Sequence, residues 1–205
     1  MILSLVSVGE KYINHCLPHI ERFKNGGWEV HVLTNEPNRF SGCKVKPYEN
    51  KIFSYFDKIL FTLRLSEKFK EGILFVDSDW IHNMSDEFIT TFKGSDKFLY
   101  YDNWPNGETF KDYIEDPYFF NQQRFWEKNN FIYDDLTTIL EWVIYIPYTT
   151  KISDIIYDLE HIKPVFEYNS VMVDAGYSGI GNGEGLGLSY ALHKNNIKIE
   201  KFGLV

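Results

Sequence analysis

Cysteine is scarce in this chain. Its two copies, Cys16 and Cys43, make neither a disulfide framework nor the paired spacing of a metal knuckle, and both read as reduced thiols of an intracellular protein. Excess positive charge is missing as well. With 21 Lys and Arg against 29 Asp and Glu the formal net charge is −8. The bases are scattered, the densest group being Lys194, Lys198 and Lys201. A nucleic-acid binder needs a basic stripe that displaces counterions from phosphates, so the balance speaks against nucleic acid and against anionic membranes. No apolar run approaches the roughly 18 residues of a bilayer span. The apolar opening, Met1 to Val8, has no positive leader and is too short for a signal-peptide core. Repeats, linkers and low-complexity tracts are also lacking. Together these absences predict a cytoplasmic chain without a membrane segment, folded as one domain over residues 1–205.

What is abundant is aromatic surface. Phe, Trp and Tyr make up 18% of the chain, with 17 Phe and 14 Tyr; such rings fill cores, and they also stack on sugars and bases. Apolar periodicity predicts strands at Ile2–Val8, Trp28–Thr34, Val45–Tyr48, Ile73–Val76, Phe98–Tyr101 and Glu141–Ile146. Helical spacing predicts helices at Glu10–Lys24, Lys51–Lys70, Ile152–His161 and Leu188–Lys194. The glycine-rich stretch from Gly176 to Gly187 reads as a loop, and Thr109 to Asn130 as aromatic, polar and partly helical. Strands alternating with helices argue for an α/β fold, a three-layer sandwich around a mainly parallel sheet. In such sheets ligands sit beyond the carboxyl ends of the strands. The loop after Val8, Asp77 and Asp102 all fall at such ends.

Asp77-Ser78-Asp79 follows the apolar run Ile73-Leu74-Phe75-Val76 directly. Carboxylates at i and i+2 of an extended segment face one way, and at the tip of a buried strand they repel unless a positive charge lies beside them. A hard divalent cation with oxygen ligands meets that need and keeps positions open for a substrate phosphate. The bland alternative is an acidic turn. Lys58 and Arg64 are candidate phosphate donors; at about 100° per residue Arg64 falls at the margin of the apolar stripe and Lys58 nearly opposite it, which favours Arg64. His82, His161 and His193 read as ordinary histidines.

The segment from Lys58 to Phe88 resembles the central block of GT-A glycosyltransferases, particularly the glycogenin-like retaining family: a Lys-bearing helix, a strand ending in Asp-x-Asp, then the turn Asn83-Met84-Ser85-Asp86-Glu87-Phe88. Glu141 to Pro147 and Gly183-Glu184-Gly185-Leu186-Gly187-Leu188 resemble two later blocks more loosely. The resemblance comes nearest to the glycosyltransferase modules of large chlorella viruses, which implies capsid glycosylation in an infected host cell. It implies a nucleotide sugar, a UDP-sugar for preference, bound with Mn²⁺ or Mg²⁺, and a glycan or glycoprotein hydroxyl as acceptor. Asp79 would ligate the metal, and Asp77 would touch metal and ribose, with Ser78 between them. Val6, Ser7, Val8 and Tyr12 after the first strand, and Thr34 and Asn35 at the end of the second, would frame base and ribose. The family match also favours Lys58 as a phosphate ligand. At the position of Glu184 the family has an Asp near the reacting carbon, so Glu184 would meet the acceptor hydroxyl or act as base, unless it is a solvated cap. Asp102, before Asn103-Trp104, is placed for a donor-sugar contact, unless it only caps a turn.

The chain departs from the family in two places. The Asn-Ser-Gly block is replaced near Leu140-Glu141-Trp142. The later His-x-x-Gly-x-x-Lys-Pro-Trp block has no counterpart, since His161-Ile162-Lys163-Pro164 precedes Glu184 instead of following it. The third protein ligand of the metal is therefore open. Two rival readings stand beside the transferase. A haloacid-dehalogenase-type phosphatase also places Asp-x-Asp after an apolar strand, though near the N-terminus and followed by Thr or Val, where this chain has Trp80. A sugar- or nucleotide-binding module without turnover is the other.

Overall fold

The structure is a computed structural model, and the residues it describes are 1–85, 90–92, 94–101, 139, 142–167, 171–174, 177–180 and 184–202. Asp102, the segment 109–130 and residues 86–88 of the turn 83–88 lie outside them.

Four apolar runs become the centre of a seven-stranded sheet. Its strands are β1 (Ile2–Ser7), β2 (Glu29–Thr34), β3 (Lys44–Pro47), β5 (Ile73–Asp77), β6 (Phe98–Tyr101), β7 (Val143–Ile146) and β10 (Ile199–Phe202), in the order β10-β6-β7-β5-β1-β2-β3. Neighbours pair in parallel except around β7, which runs antiparallel to both β5 and β6. Every residue of β1 is buried, as expected for a strand covered on both faces. A second sheet has the order β4-β9-β8, from β4 (Phe53–Ser54), β9 (Tyr177–Ile180) and β8 (Val171–Asp174). The expected α/β class and mainly parallel sheet are observed.

The two faces of the large sheet follow from the period-2 alternation of its strands. Leu3, Leu5, Leu74 and Val76 pack on α1 (Glu10–Asn25) through Ile13, Cys16, Ile20 and Phe23. Ile2, Val6, Ile73 and Phe75 pack on the other face, in the cluster that holds α2 (Phe56–Phe69), α3 (Ile152–Glu167) and α4 (Glu184–Lys194). On that face Ser4 and Thr62 satisfy each other through a 2.8 Å hydrogen bond between their hydroxyls, which removes the cost of burying both.

Most other boundaries shift by a residue or two; three larger differences from the sequence expectation have a local reason. The helix expected over Lys51–Lys70 begins only at Phe56, because the Ser54 N–H donates to the Tyr48 hydroxyl (3.1 Å) and Phe53–Ser54 pairs with β9. The helix expected to end at His161 runs on through Pro164 to Glu167, and Lys163 there joins Asp57 of α2 at 2.6 Å. The Gly176–Gly187 stretch is not one loop: it contains β9 and the first turn of α4. Gly187 lies inside the helix, where α4 comes so close to α2 that a Cβ would stand 2.5 Å from Phe56 Cε1. Periodicity of apolar residues cannot register a helix whose first turn is carried by glycine.

Candidate functional site

The chain lays β1, β2 and β3 outward in one direction, then returns to place β5 on the other side of β1. The order of the strands therefore reverses between β1 and β5, and open α/β sheets bind ligands beyond the carboxyl ends at such a point. The register puts Val6 beside Asp77. Here Val6, Val8, Tyr12, Phe53, Tyr55, Lys58, Asp77, Ser78 and Asp79 line a cavity of about 120 Å³.

Backbone hydrogen bonds fix its floor. The Asp77 N–H donates to the Trp142 carbonyl (2.8 Å), and the Asp77 carbonyl accepts from the Trp80 N–H (2.9 Å). Trp80 stacks on Trp142 with ring centroids 5.6 Å apart. Across the cavity Gly9, at φ 94°, makes the turn from β1 into α1, a conformation that side-chain-bearing residues rarely adopt. Its N–H donates to Asn35 Oδ1 at 3.0 Å, which ties the loop after β1 to the end of β2.

The charges are arranged around Lys58. Its Nζ lies 3.0 Å from Asp77 Oδ2 and 2.9 Å from Glu184 Oε1, and all three side chains are largely buried. The Tyr55 ring lies 5.3 Å from the same nitrogen. The cation beside Asp77 is thus a lysine of the chain itself. Burial still pushes the Asp77 carboxyl up to about 6; Lys58 pulls it down, while Asp79 and Glu184 push it further up. Among the described residues Lys58 is the ammonium that Asp77 and Glu184 share, and at Asp77 burial outweighs its pull.

That donor set fits a hard divalent ion. Among the described residues no three acidic, histidine or cysteine groups form a ready metal shell. Mg²⁺ and Mn²⁺ do not require one, being commonly held by one or two carboxylates, waters and substrate phosphates. Asp77 and Asp79 supply hard oxygens, and the raised Asp77 carboxyl is the group that further positive charge would relieve. At about 120 Å³ the cavity is smaller than the roughly 300–1,000 Å³ usual for a small-molecule site.

No family model and no curated protein matches the chain. Among solved structures it is similar to the galactosyltransferase LgtC in complex with donor and acceptor sugar analogues, at 11% identity and a TM-score of 0.49, over 92% of this chain and 70% of that one.

The residues singled out from sequence divide into two sets. Val6, Val8, Tyr12, Lys58, Asp77, Ser78 and Asp79 meet at the cavity, with Glu184 behind Lys58. Ser7, Thr34, Asn35 and Arg64 do not line it. Ser7 is buried under α1 and accepts a hydrogen bond from the Cys16 thiol at 3.3 Å. The Thr34 hydroxyl accepts from the Glu36 N–H (3.2 Å). Arg64 is half exposed, pairs with Glu160, and sits about 9 Å further along α2 than Lys58 at 1.5 Å per residue. Periodicity ranked Arg64 above Lys58; of the two it is Lys58 that lines this cavity, because α2 packs between the sheet, α3 and α4 and buries Lys58 beside Asp77. His161 is exposed and stacks on Tyr157, outside the cavity around Asp77, while Lys163 of the same echo pairs with Asp57 of α2. Phe53 and Tyr55 escaped notice inside a segment read as helix. The alternation Phe53-Ser54-Tyr55 was the available signal.

Arg64 instead borders a larger cavity of about 660 Å³, with Glu29, Lys44, Lys46, Lys68 and Phe69. That cavity runs along β3 from Lys44 to Pro47, and Arg64 also borders a second one of about 410 Å³ with Pro47, Tyr48, Asn50 and Asp57; neither includes Asp77 or Asp79.

Proposed function

We propose that the chain is a metal-dependent glycosyltransferase of GT-A type. In this reading it moves a hexose or deoxyhexose from a nucleotide sugar, a UDP-sugar for preference, to a hydroxyl of a glycan or glycoprotein. The observation that carries the reading is the position of Asp77 and Asp79: two carboxylates at the carboxyl end of a central strand, in the cavity where the strand order reverses, with a buried lysine between one of them and Glu184. The resemblance of residues 58–88, which include these side chains, to the central block of that family supports it as well.

Asp79 and the Asp77 oxygen not engaged by Lys58 are the groups that would hold Mg²⁺ or Mn²⁺. Once bound, such an ion supplies Lewis acidity that neutralises a departing diphosphate. Lys58 offers a second, fixed positive charge at the same place, and preorganised charge of this kind commonly lowers a barrier by several kcal/mol. Glu184 faces Lys58, so its role is to hold that ammonium in position; the acceptor base is sought elsewhere. Val6, Val8 and Tyr12 wall the cavity on the β1 side, and the rings of Phe53 and Tyr55 close it from the other. Asp102 is retained as the proposed sugar contact.

The test is thermal unfolding with Mn²⁺, then with Mn²⁺ and UDP, followed by metal-dependent hydrolysis of UDP-, GDP- and dTDP-sugars. Asp79→Asn is expected to remove the Mn²⁺-dependent rise in Tm and donor consumption together. Retained turnover in that variant at saturating Mn²⁺ overturns the assignment, as does release of phosphate from simple monoesters in place of donor cleavage. Tight UDP binding without consumption of any donor supports the binding module instead.

A further inference from the structure

Some of the bases that are scattered in sequence are gathered by the fold at one place. α2 packs over β1 and β5, and the sheet runs on through β2 to its edge strand β3. The cavity of about 660 Å³ lies in that step, with the flank of α2 as one wall and the outer strands as the other. Its size is that of a small-molecule site.

Each wall follows from its own periodicity. On α2, Phe61, Arg64, Leu65, Lys68 and Phe69 fall at i, i+3, i+4, i+7 and i+8, a single helical stripe. On β3, Lys44 and Lys46 share a face of the sheet with His31 and Leu33, their register partners on β2. Phe61 and Leu65 are buried and Phe69 is half-buried, so they make an apolar floor. Lys44, Lys46, Arg64 and Lys68 are exposed and make a cationic rim, two from each wall.

Charge decides what fits. The chain as a whole carries −8, yet this lining sets those four cations against one acid, Glu29. Glu29 is already held by His31 at 2.6 Å, and the His31 ring stands edge-on to Phe69. Arg64 pairs with the exposed Glu160, and Lys68 Nζ lies 5.1 Å from the Phe69 ring centre. Lys44 and Lys46 have no ion pair among the described residues. The adjoining cavity shares Lys46 and Arg64 but adds Glu49 and Asp57, so an anion is favoured at the Lys44 end. A phosphate answers several cations at once and offers paired oxygens to the Arg64 fork. An apolar body behind it covers the floor.

We propose that the cavity between α2 and β3 binds an amphiphilic organic phosphate, a small soluble molecule whose apolar part rests on Phe61, Leu65 and Phe69 while its phosphate meets the rim. The site shares no lining residue with the cavity around Asp77.

Calorimetric titration of the intact chain with octylphosphonate, without metal, tests this; the phosphonate keeps the charge and resists hydrolysis. Methylphosphonate, the same head without the chain, is expected to bind at least about tenfold more weakly, because it leaves the floor uncovered. Lys44→Glu with Lys46→Glu on one wall, and Arg64→Glu on the other, are each expected to weaken octylphosphonate by roughly tenfold or more. All three positions are exposed, so Tm is expected to stay near that of wild type. Raising NaCl from about 0.05 M to about 0.5 M is expected to weaken binding to wild type as well. Asp79→Asn is expected to bind octylphosphonate unchanged. The proposal is overturned if octylphosphonate does not bind at millimolar concentration, or if the charge-reversed variants bind it like wild type. It is overturned equally if methylphosphonate binds as tightly, or if Asp79→Asn abolishes binding, which would move the ligand to the acidic tip.

Discussion

Replacing Lys58 by Met removes the ammonium that lies within 3.0 Å of both Asp77 and Glu184, two largely buried acids. Removing one partner of a buried ion pair costs about 3–5 kcal/mol, because the remaining charge stays desolvated. For a chain of this size each kcal/mol moves the midpoint by about 2–4 °C, so a fall of roughly 6–20 °C is expected at neutral pH. The pH dependence has a definite sign. Asp77 in the folded chain titrates at about 6, above its ordinary value of 3.8, with burial as the main cause. Between those values the folded chain keeps a proton that the unfolded chain has lost, so this group makes stability fall as pH rises through the window. Taking Lys58 away removes the influence that lowers Asp77 and stretches the window upward. The Lys58→Met penalty is therefore largest near neutral pH and shrinks towards about pH 5. Adding Glu184→Gln is expected to recover part of the loss. Urea or thermal unfolding of wild type, both single variants and the double variant, without metal, at the two pH values, measures all of this as a cycle. If Lys58→Met unfolds like wild type at both pH values, the three side chains are not a buried ionic cluster and the cavity chemistry built on them is wrong.

Gly187→Ala is expected to cost about 1–3 kcal/mol by overpacking, since the new Cβ would sit 2.5 Å from Phe56 Cε1; a neutral denaturation midpoint would refute the close approach of α4 to α2. The Cys16 thiol is pushed up to about 11 by burial, so a disulfide reagent near pH 8 should leave it untouched until the chain unfolds, as counted by released chromophore. Arg64→Ala is expected to change stability by no more than about 1 kcal/mol, as an exposed ion pair does, and to leave donor consumption unchanged. A large rise in the donor KM would restore Arg64 to the site.

The apolar runs announced the sheet, and the strand at Phe98–Tyr101 was legible to the residue because it is a short unbroken apolar and aromatic run. So was the acidic tip, because an apolar run cannot end in two carboxylates without a reason. The environment of Lys58 was not legible. A helical wheel assumes one solvated face, and α2 has sheet on one side and two helices on the others. The roles of Ser7 and Asn35 were hidden for a related cause: proximity in sequence to a strand end does not say whether a side chain turns towards the cleft, under a helix or back onto a neighbouring loop. Glu184 was visible as an acid among glycines, but its partner lies on another helix that only tertiary packing brings near.

The antiparallel strand β7 has a kinetic corollary. The amide of Asp77 is held by the carbonyl of Trp142, from far along the chain, and β5 gains its second neighbour only when β7 arrives. Closing so long a loop is slow compared with pairing β1 to β2. The acidic tip should thus be among the last parts to become ordered during refolding, and a fragment cut before β7 would carry both aspartates without the scaffold that aims them.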